Sequence, residues 1–137
     1  MNPILSTSGQ CWILDAIKTK IDTISGVYVG LMTNYLPSER SYQTPFYINE
    51  LSYITNSGYS RQVSNTWSVI SGSNPYLLGS TVTFTISSGS WSNVYGYFVS
   101  STNLNYSVLW SELFPYDKGS VVASGNNILI TPKFYQY

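Results

Sequence analysis

The stretch STVTFTIS at residues 80–87 alternates between apolar and hydroxyl side chains with a period of two. Val82, Phe84 and Ile86 fall on one side of an extended chain, and the threonines between them fall on the other. Such alternation is typical of a β-strand that has one face in a core and one face in water. We therefore predict a strand here and an antiparallel sheet around it.

Runs of β-branched and aromatic residues occur along most of the remaining chain, separated by short breakers of Gly, Pro, Ser and Asn. The clearest runs are 27–33, 93–101, 106–114 and 126–134. A short polar loop joins 93–101 to 106–114, which predicts a hairpin near the centre of a sheet. Residues 27–33 and 62–134 together predict a mainly β fold: one domain over 1–137, built as an antiparallel β-sandwich or barrel.

Residues 7–25 have the pattern of a helix. Its apolar stripe is formed by Leu14, Ile17, Ile21 and Ile24 at helical spacing. Thr7 and Gln10 have the spacing of a capping box, and Ser25-Gly26 is a helix-ending pair. Because a strand follows immediately, we expect this N-terminal helix to pack on the sheet.

Residues 34–58 depart from the strand pattern, since they combine two prolines with many aromatic residues and little periodicity. We interpret this segment as an irregular surface arm that packs on a partner. Tyrosine is enriched at protein interfaces because it buries area and keeps a polar group. The candidate interface residues are therefore Tyr35, Tyr42, Phe46, Tyr47 and Tyr53, together with Tyr135 and Tyr137 at the other end of the chain.

Charge is scarce: charged residues make up 9% of the chain, whereas ordinary soluble domains have about 25%. The six basic and six acidic residues balance, and no Lys/Arg cluster forms a basic face. We therefore expect neither a nucleic-acid partner nor a membrane partner. The N-terminal residues lack a signal-peptide pattern, which predicts use without export. A net charge near zero gives little repulsion between molecules and favours association.

The sequence offers few groups for catalysis. It has no histidine and one cysteine, so it lacks both the commonest general base and a cluster of soft metal ligands. Glu39, Glu50 and Glu112 are the possible catalytic carboxylates, with no spacing that marks a pair. We predict a protein that is not an enzyme and that uses no cofactor and no metal. A hydrolase of cell-wall polymers acting through these three carboxylates remains an alternative.

Arg61 is the last charged residue before a run without charge that ends at Glu112. A buried guanidinium needs a carboxylate or backbone carbonyls as partners. We predict a structural role at the edge of the core, with Glu50 or Glu112 as the partner, and we take Arg61 and Glu112 as the candidate ion pair. A clamp for a ligand is the alternative.

Six short motifs occur in the order CWILDAIKTK, VYVGLMTN, GYSRQ, VYGYFVSS, VLWSELF and ITPKF, over roughly residues 11–134. This ordered set resembles a group of small virion structural proteins of tailed bacteriophages. The resemblance implies a component of the particle, either a capsid cement (decoration) protein or a tail-associated module. The implied partners are the major capsid protein and further copies of the chain, as a homotrimer. The implied location is the capsid surface, after assembly in the host cytoplasm.

The same exposed tyrosines are also suited to stacking on sugars. A receptor- or glycan-binding module on the head or tail is therefore the alternative to a cement protein.

Overall fold

The computed structural model describes residues 4–33, 50–51, 58–87, 89–103, 108–114, 120–123 and 126–135. Within these ranges the chain forms the helix α1 at Thr7–Thr23 and eleven strands. The strands are β1 Val27–Met32, β2 Gln62–Ser64, β3 Trp67–Ile70, β4 Tyr76–Gly79, β5 Val82–Thr85, β6 Ser90–Val94, β7 Gly96–Ser100, β8 Val108–Leu113, β9 Ser120–Ala123, β10 Asn127–Ile130 and β11 Lys133–Tyr135.

Every pairing between these strands is antiparallel. The largest sheet, here called the main sheet, has the order β2-β1-β7-β8, and a three-stranded sheet has the order β11-β4-β3. Two further pairs, β5–β10 and β6–β9, complete the described strands. The predicted mainly β, antiparallel fold with one helix is confirmed. The described strands form open groups, so of the two predicted architectures the sandwich fits and the closed barrel does not.

One hydrophobic core receives residues from the helix and from each of the sheets. Its buried members include Leu14 and Ile21 of the helix, Val29 and Val99 of the main sheet, Leu77 of the three-stranded sheet, Phe84 of β5 and Trp91 of β6. On β5 and just after it, Val82, Phe84 and Ile86 are buried while the intervening threonines are exposed, so the predicted alternation is confirmed. Since every sheet contributes to one core, the described elements fold as a unit.

The predicted run 93–101 is divided between two sheets. Val94 ends β6, whereas Gly96 begins β7. Between them, the Tyr95 N–H donates to the Met32 carbonyl and the Tyr95 carbonyl accepts from Phe114 N, both at 2.9 Å. The predicted pairing of the two runs is confirmed, since β7 pairs with β8. The predicted central position holds for β7 but not for β8, which is the last described strand of the main sheet.

Helix α1 packs against β3 and β4 and buries Leu14 and Ile21. Its N-cap is Ser6, whose Oγ accepts from the Gly9 N–H at 3.1 Å. The predicted capping box of Thr7 and Gln10 is therefore wrong by one position. The helix also ends at Thr23 rather than at residue 25.

The C-terminal end of α1 is closed by a reverse turn that leads into β1. Ser25 has a left-handed φ of 62°, and its N–H donates to the Asp22 carbonyl at 3.2 Å. The Gly26 N–H donates to the Ile21 carbonyl at 3.0 Å. This is the Schellman arrangement, which satisfies carbonyls that the helix itself leaves unpaired.

Because Ser25 occupies a conformation that disfavours a Cβ, we expect Ser25→Gly to raise the free energy of unfolding by about 0.5–1 kcal/mol. Urea unfolding followed by circular dichroism measures the change. Gly26→Ser is the matched control with the opposite sign, because Gly26 has φ 105° and its Cβ would lie 2.8 Å from the Ser64 carbonyl oxygen. Equal effects of the two substitutions would contradict the assignment of strain to Ser25.

Candidate functional site

The main sheet has two different faces. The inner face belongs to the core and carries Val29, Leu31, Tyr97 and Val99. The residues between them, including Gly30, Met32 and Phe98, lie on the opposite, outer face. Gly30 pairs with Phe98, and the Phe98 ring occupies the space that a side chain at Gly30 would need. Phe98 and Met32 are nevertheless fully buried, so the outer face is covered as well.

A gap in the hydrogen-bond ladder of β1 is filled by a tyrosine hydroxyl. Strand β2 pairs with β1 up to Val29, and Leu51 N donates to the Leu31 carbonyl at 2.9 Å further along the same edge. Between these contacts, the Leu31 N–H donates to Tyr59 Oη at 3.0 Å. The Tyr59 hydroxyl in turn donates to Glu50 Oε1 at 2.8 Å. The hydroxyl thus satisfies a buried backbone amide and ties it to a carboxylate.

Arg61 completes this cluster of Glu50, Tyr59 and Arg61, which we call the edge cluster. Its guanidinium donates from Nε and Nη2 to the two oxygens of Glu50, both at 2.8 Å, and from Nη1 to the Thr102 carbonyl at 2.8 Å. The guanidinium carbon lies 5.0 Å from the centre of the Phe98 ring. The side chains of Arg61 and Glu50 are 5% and 15% exposed. Arg61 is bonded to a carboxylate and to a loop carbonyl, as the structural reading predicts, and the choice between that role and a ligand clamp stays a prediction.

The ion pair of Arg61 and Glu112 is wrong, because the partner is Glu50. Arg61 lies over Phe98, on the outer face of the main sheet. Glu112 pairs in register with Tyr97 and receives its hydroxyl hydrogen bond. Tyr97 and Phe98 are adjacent in one strand and point to opposite faces. The sheet therefore separates Arg61 from Glu112, the partner selected from the sequence.

Tyr97 joins two sheets through its hydroxyl. The hydroxyl donates to Glu112 Oε2 on β8 at 2.7 Å and accepts from the Lys133 backbone N–H on β11 at 3.1 Å. Since β8 belongs to the main sheet and β11 to the three-stranded sheet, this one group links the two. The sequence carries no pattern that marks Tyr59 and Tyr97 among thirteen tyrosines, because their role depends on the register of distant strands.

Both tyrosines hold their protons more tightly than usual. Burial, followed by the negative charge of Glu50, raises the pKa of Tyr59 above the ordinary value of about 10. Burial also raises the pKa of Tyr97, where the Lys133 amide acts in the opposite direction and Glu112 adds to the rise. Each hydroxyl therefore stays protonated and serves as a hydrogen-bond donor to its carboxylate.

We expect the protein to lose stability above pH 10. The raised pKa values mean that the folded state retains two protons that the unfolded chain releases. The contribution of these two tyrosines to the free energy of unfolding is complete below their unfolded pKa of about 10. It declines as the pH rises toward their pKa values in the folded state. The free energy of unfolding should fall by about 1.4 kcal/mol per pH unit for each tyrosine above that point.

Urea unfolding at pH 9, 10 and 11 measures this slope. The matched variant is Tyr59→Phe with Tyr97→Phe, which has lower stability at pH 9 but a shallower decline above pH 10. Equal slopes for this variant and for the unaltered chain would contradict the assignment.

The structure describes two of the three carboxylates of the hydrolase alternative, Glu50 and Glu112, and does not bring them together. Glu50 and Glu112 lie on opposite faces of the main sheet, and each accepts a hydrogen bond from a buried tyrosine. Glu39, the third carboxylate of the hydrolase alternative, lies outside the described residues. In the part of the chain that the structure describes, no group of three or more His, Cys, Asp or Glu residues is placed to hold a metal ion.

Of the predicted interface residues, Tyr35, Tyr42, Phe46, Tyr47, Tyr53 and Tyr137 lie outside the described residues, as does most of the predicted arm 34–58. Tyr135 is described: it is 38% exposed, and its ring lies 4.9 Å from that of Tyr76. The pairing of β11 with β4 places both rings on one face of the three-stranded sheet. The interface role of all seven residues stays a prediction.

Three strongly exposed apolar residues were missed by the sequence analysis: Ile4, Trp12 and Leu129, which are 97%, 77% and 65% exposed. The signal for Trp12 was available, because it stands opposite the apolar stripe on the helix. Leu129 lies between Ile128 and Ile130, so β10 is apolar on both faces. Leu129, the outward-facing residue, pairs with Thr83 of β5.

The described charges are concentrated away from the strands. Of the eight charged residues in the described ranges, four lie on α1 and two form the Arg61–Glu50 pair. The other two are Glu112 and Lys133. The described strand surface therefore presents mainly hydroxyls, amides and isolated apolar side chains.

Comparison of the chain with protein-family models, with curated protein sequences and with solved structures gives no match. No helix in the described part of the chain has the length and apolar character needed to cross a membrane. The described elements form a single-domain antiparallel β-sandwich with one N-terminal helix.

Proposed function

We propose that this protein is a capsid cement or decoration protein of a tailed bacteriophage. It binds the outside of the major capsid shell and stabilises that shell. The ordered motifs of the sequence support the virion class, because they resemble small phage structural proteins over nearly the whole chain.

The observation that carries the proposal is the nearly uncharged strand surface. Outside the edge cluster, the described strands carry two charged residues, Glu112 and Lys133. They also carry the exposed side chains of Leu129 and Tyr135. Removing a charge from water is far more costly than removing a hydroxyl or a methyl group. Such a surface therefore suits a subunit that remains docked.

The mechanism is stabilisation through binding. A ligand that binds the assembled shell and not its separate subunits shifts the equilibrium toward the shell. Each contact needs only a modest interface, on the order of 800 Å² per partner. Many copies acting on one shell then make its opening much less favourable than any single contact implies.

The test compares complete phage particles with particles assembled without this protein. We expect the deficient particles to release their genome at a lower temperature and a lower pressure, and we expect addition of the purified protein to restore resistance. Protein that has been irreversibly heat-unfolded is the control. Deficient particles that resist heat and pressure as well as complete ones would refute the proposal.

A glycan-binding module is the second candidate, and the exposed Tyr135 beside Tyr76 favours it. Paired aromatic rings on a sheet face offer a stacking platform for sugars. On a glycan array, this function predicts binding that Tyr135→Ala abolishes and that Leu129→Ala, a control at a more exposed and non-aromatic residue, retains. A cement protein should show no binding to the array.

A further inference from the structure

Helix α1 presents a second stripe on the side away from the core. Successive residues of an α-helix are rotated by about 100°, so Trp12, Ala16, Thr19 and Thr23 fall within roughly 60° of one another. All four are exposed, and Trp12 is 77% exposed. Leu14 and Ile21, the buried residues of the helix, lie on the opposite side. We call the four residues the outer stripe.

The outer stripe has the composition of a contact between helices. Ala16 and Thr19 are small, and the Thr23 hydroxyl is already bonded to the Thr19 carbonyl at 2.8 Å. Small residues in the middle of the stripe permit close approach of another helix, and Trp12 at one end supplies a large apolar side chain. Tryptophan is among the residue types that are enriched at the energetic hot spots of interfaces.

The charges beside the stripe indicate what covers it. The helix carries four charged residues, and Lys18 is paired with Asp22 at 2.7 Å. Asp15 and Lys20 are exposed and have no ion-pair partner among the described residues. They flank the outer stripe on its two sides, five positions apart. In the heptad notation of helix pairs, the outer stripe takes the core positions a and d. Asp15 then takes a g position and Lys20 takes an e position.

We infer that the outer stripe binds a second copy of this chain, with the two α1 helices parallel. In a parallel pair, a residue at g faces the e residue five positions further along the other helix. Asp15 of each copy then meets Lys20 of the other, so opposite charges face each other on both flanks of the contact. In an antiparallel pair, g positions meet g positions, so Asp15 would lie along the flank that carries Asp15 and Asp22 of the other copy and would not meet Lys20. The charge pattern therefore selects both the occupant and its orientation.

This inference rests on the proposed function and deepens it, because it gives a surface to the self-association that is predicted together with the cement role. A parallel contact can be repeated around a twofold or a threefold axis, since both axes keep the helices parallel. The predicted homotrimer is therefore compatible with it.

Sedimentation equilibrium of the purified full chain, across a concentration series, tests the inference. We expect Trp12→Ser to weaken association by at least tenfold, and Asp15→Lys or Lys20→Asp alone to weaken it by about tenfold. The double variant with Asp15→Lys and Lys20→Asp exchanges the charges and should restore association. Leu129→Ser, which removes an exposed apolar residue elsewhere, is the matched control and should have no effect. Circular dichroism verifies that each variant is folded.

The charge exchange discriminates between orientations. In an antiparallel pair, Asp15 would lie along the acidic flank of the other copy, so Asp15→Lys would not weaken association. A chain that is monomeric at all concentrations, an oligomer insensitive to Trp12→Ser, or a double variant that fails to recover would each overturn the inference. The shell-stabilisation test uses particles and not the free chain. An oligomer that resists these substitutions but still protects particles would therefore leave the proposed function standing.

Discussion

Replacement of Arg61 by methionine should lower the free energy of unfolding by about 3–5 kcal/mol. The substitution leaves the Glu50 carboxylate largely buried with Tyr59 as its remaining partner in the edge cluster. It also removes the contact with the Thr102 carbonyl and the cation over the Phe98 ring. Guanidinium chloride unfolding of the purified chain measures the loss.

The matched experiment is a double-mutant cycle with Glu50→Leu. When both charged groups are replaced by apolar groups of similar size, no charge is left buried without its partner, so the double variant should be more stable than the sum of the single losses predicts. We expect a coupling of about 2 kcal/mol or more between the two substitutions. Additive losses would show that the pair does not act as a unit.

Gly30→Ala should destabilise the fold by about 3 kcal/mol, near the upper end for overpacking of a core. The added methyl group would overlap the Phe98 ring, which is fully buried on the outer face with the Arg61 guanidinium over it. The ring cannot move aside without disturbing the edge cluster. The midpoint and slope of urea unfolding give the change in stability.

Two comparisons make this prediction specific. Phe98→Leu removes ring atoms from the site of overlap, so Gly30→Ala should cost much less in a Phe98→Leu background than alone. Gly9→Ala is the control glycine: its nearest neighbour is the Leu5 Cδ1 atom, at the end of an exposed side chain, and alanine is favoured in a helix. Similar losses at Gly30 and Gly9 would contradict the steric explanation.

The main features of the fold were predictable because they repeat over several residues. The alternation around Phe84 identified the buried face of β5, and the stripe through Leu14 and Ile21 identified the buried face of α1. Both patterns are local consequences of backbone geometry and can be read without knowledge of neighbours. The helix ends were less well predicted, since Ser6 and Thr7 are both acceptable caps and the choice depends on the path of the preceding chain.

The candidate site was predicted only in part. Arg61 was recognisable as structural because a lone charge next to a long uncharged run needs a partner. The choice between Glu50 and Glu112 depended on which face of the main sheet each side chain occupies. That face is fixed by strand register, and one residue of register reverses it. The run 93–101 was assigned to one strand because nothing local shows that the chain changes sheets at Tyr95.

The antiparallel contact between Met32 and Glu50 has a consequence for variation of this chain. These two residues face each other across the ladder, so the polypeptide leaves the sheet and returns to it at the same place. The free-energy penalty of a longer connection grows only slowly with its length. In terms of chain entropy, connections of different length between these positions therefore differ little in their penalty. A lineage of such proteins could acquire new specificities at this position, and a foreign peptide could be displayed there by the same route.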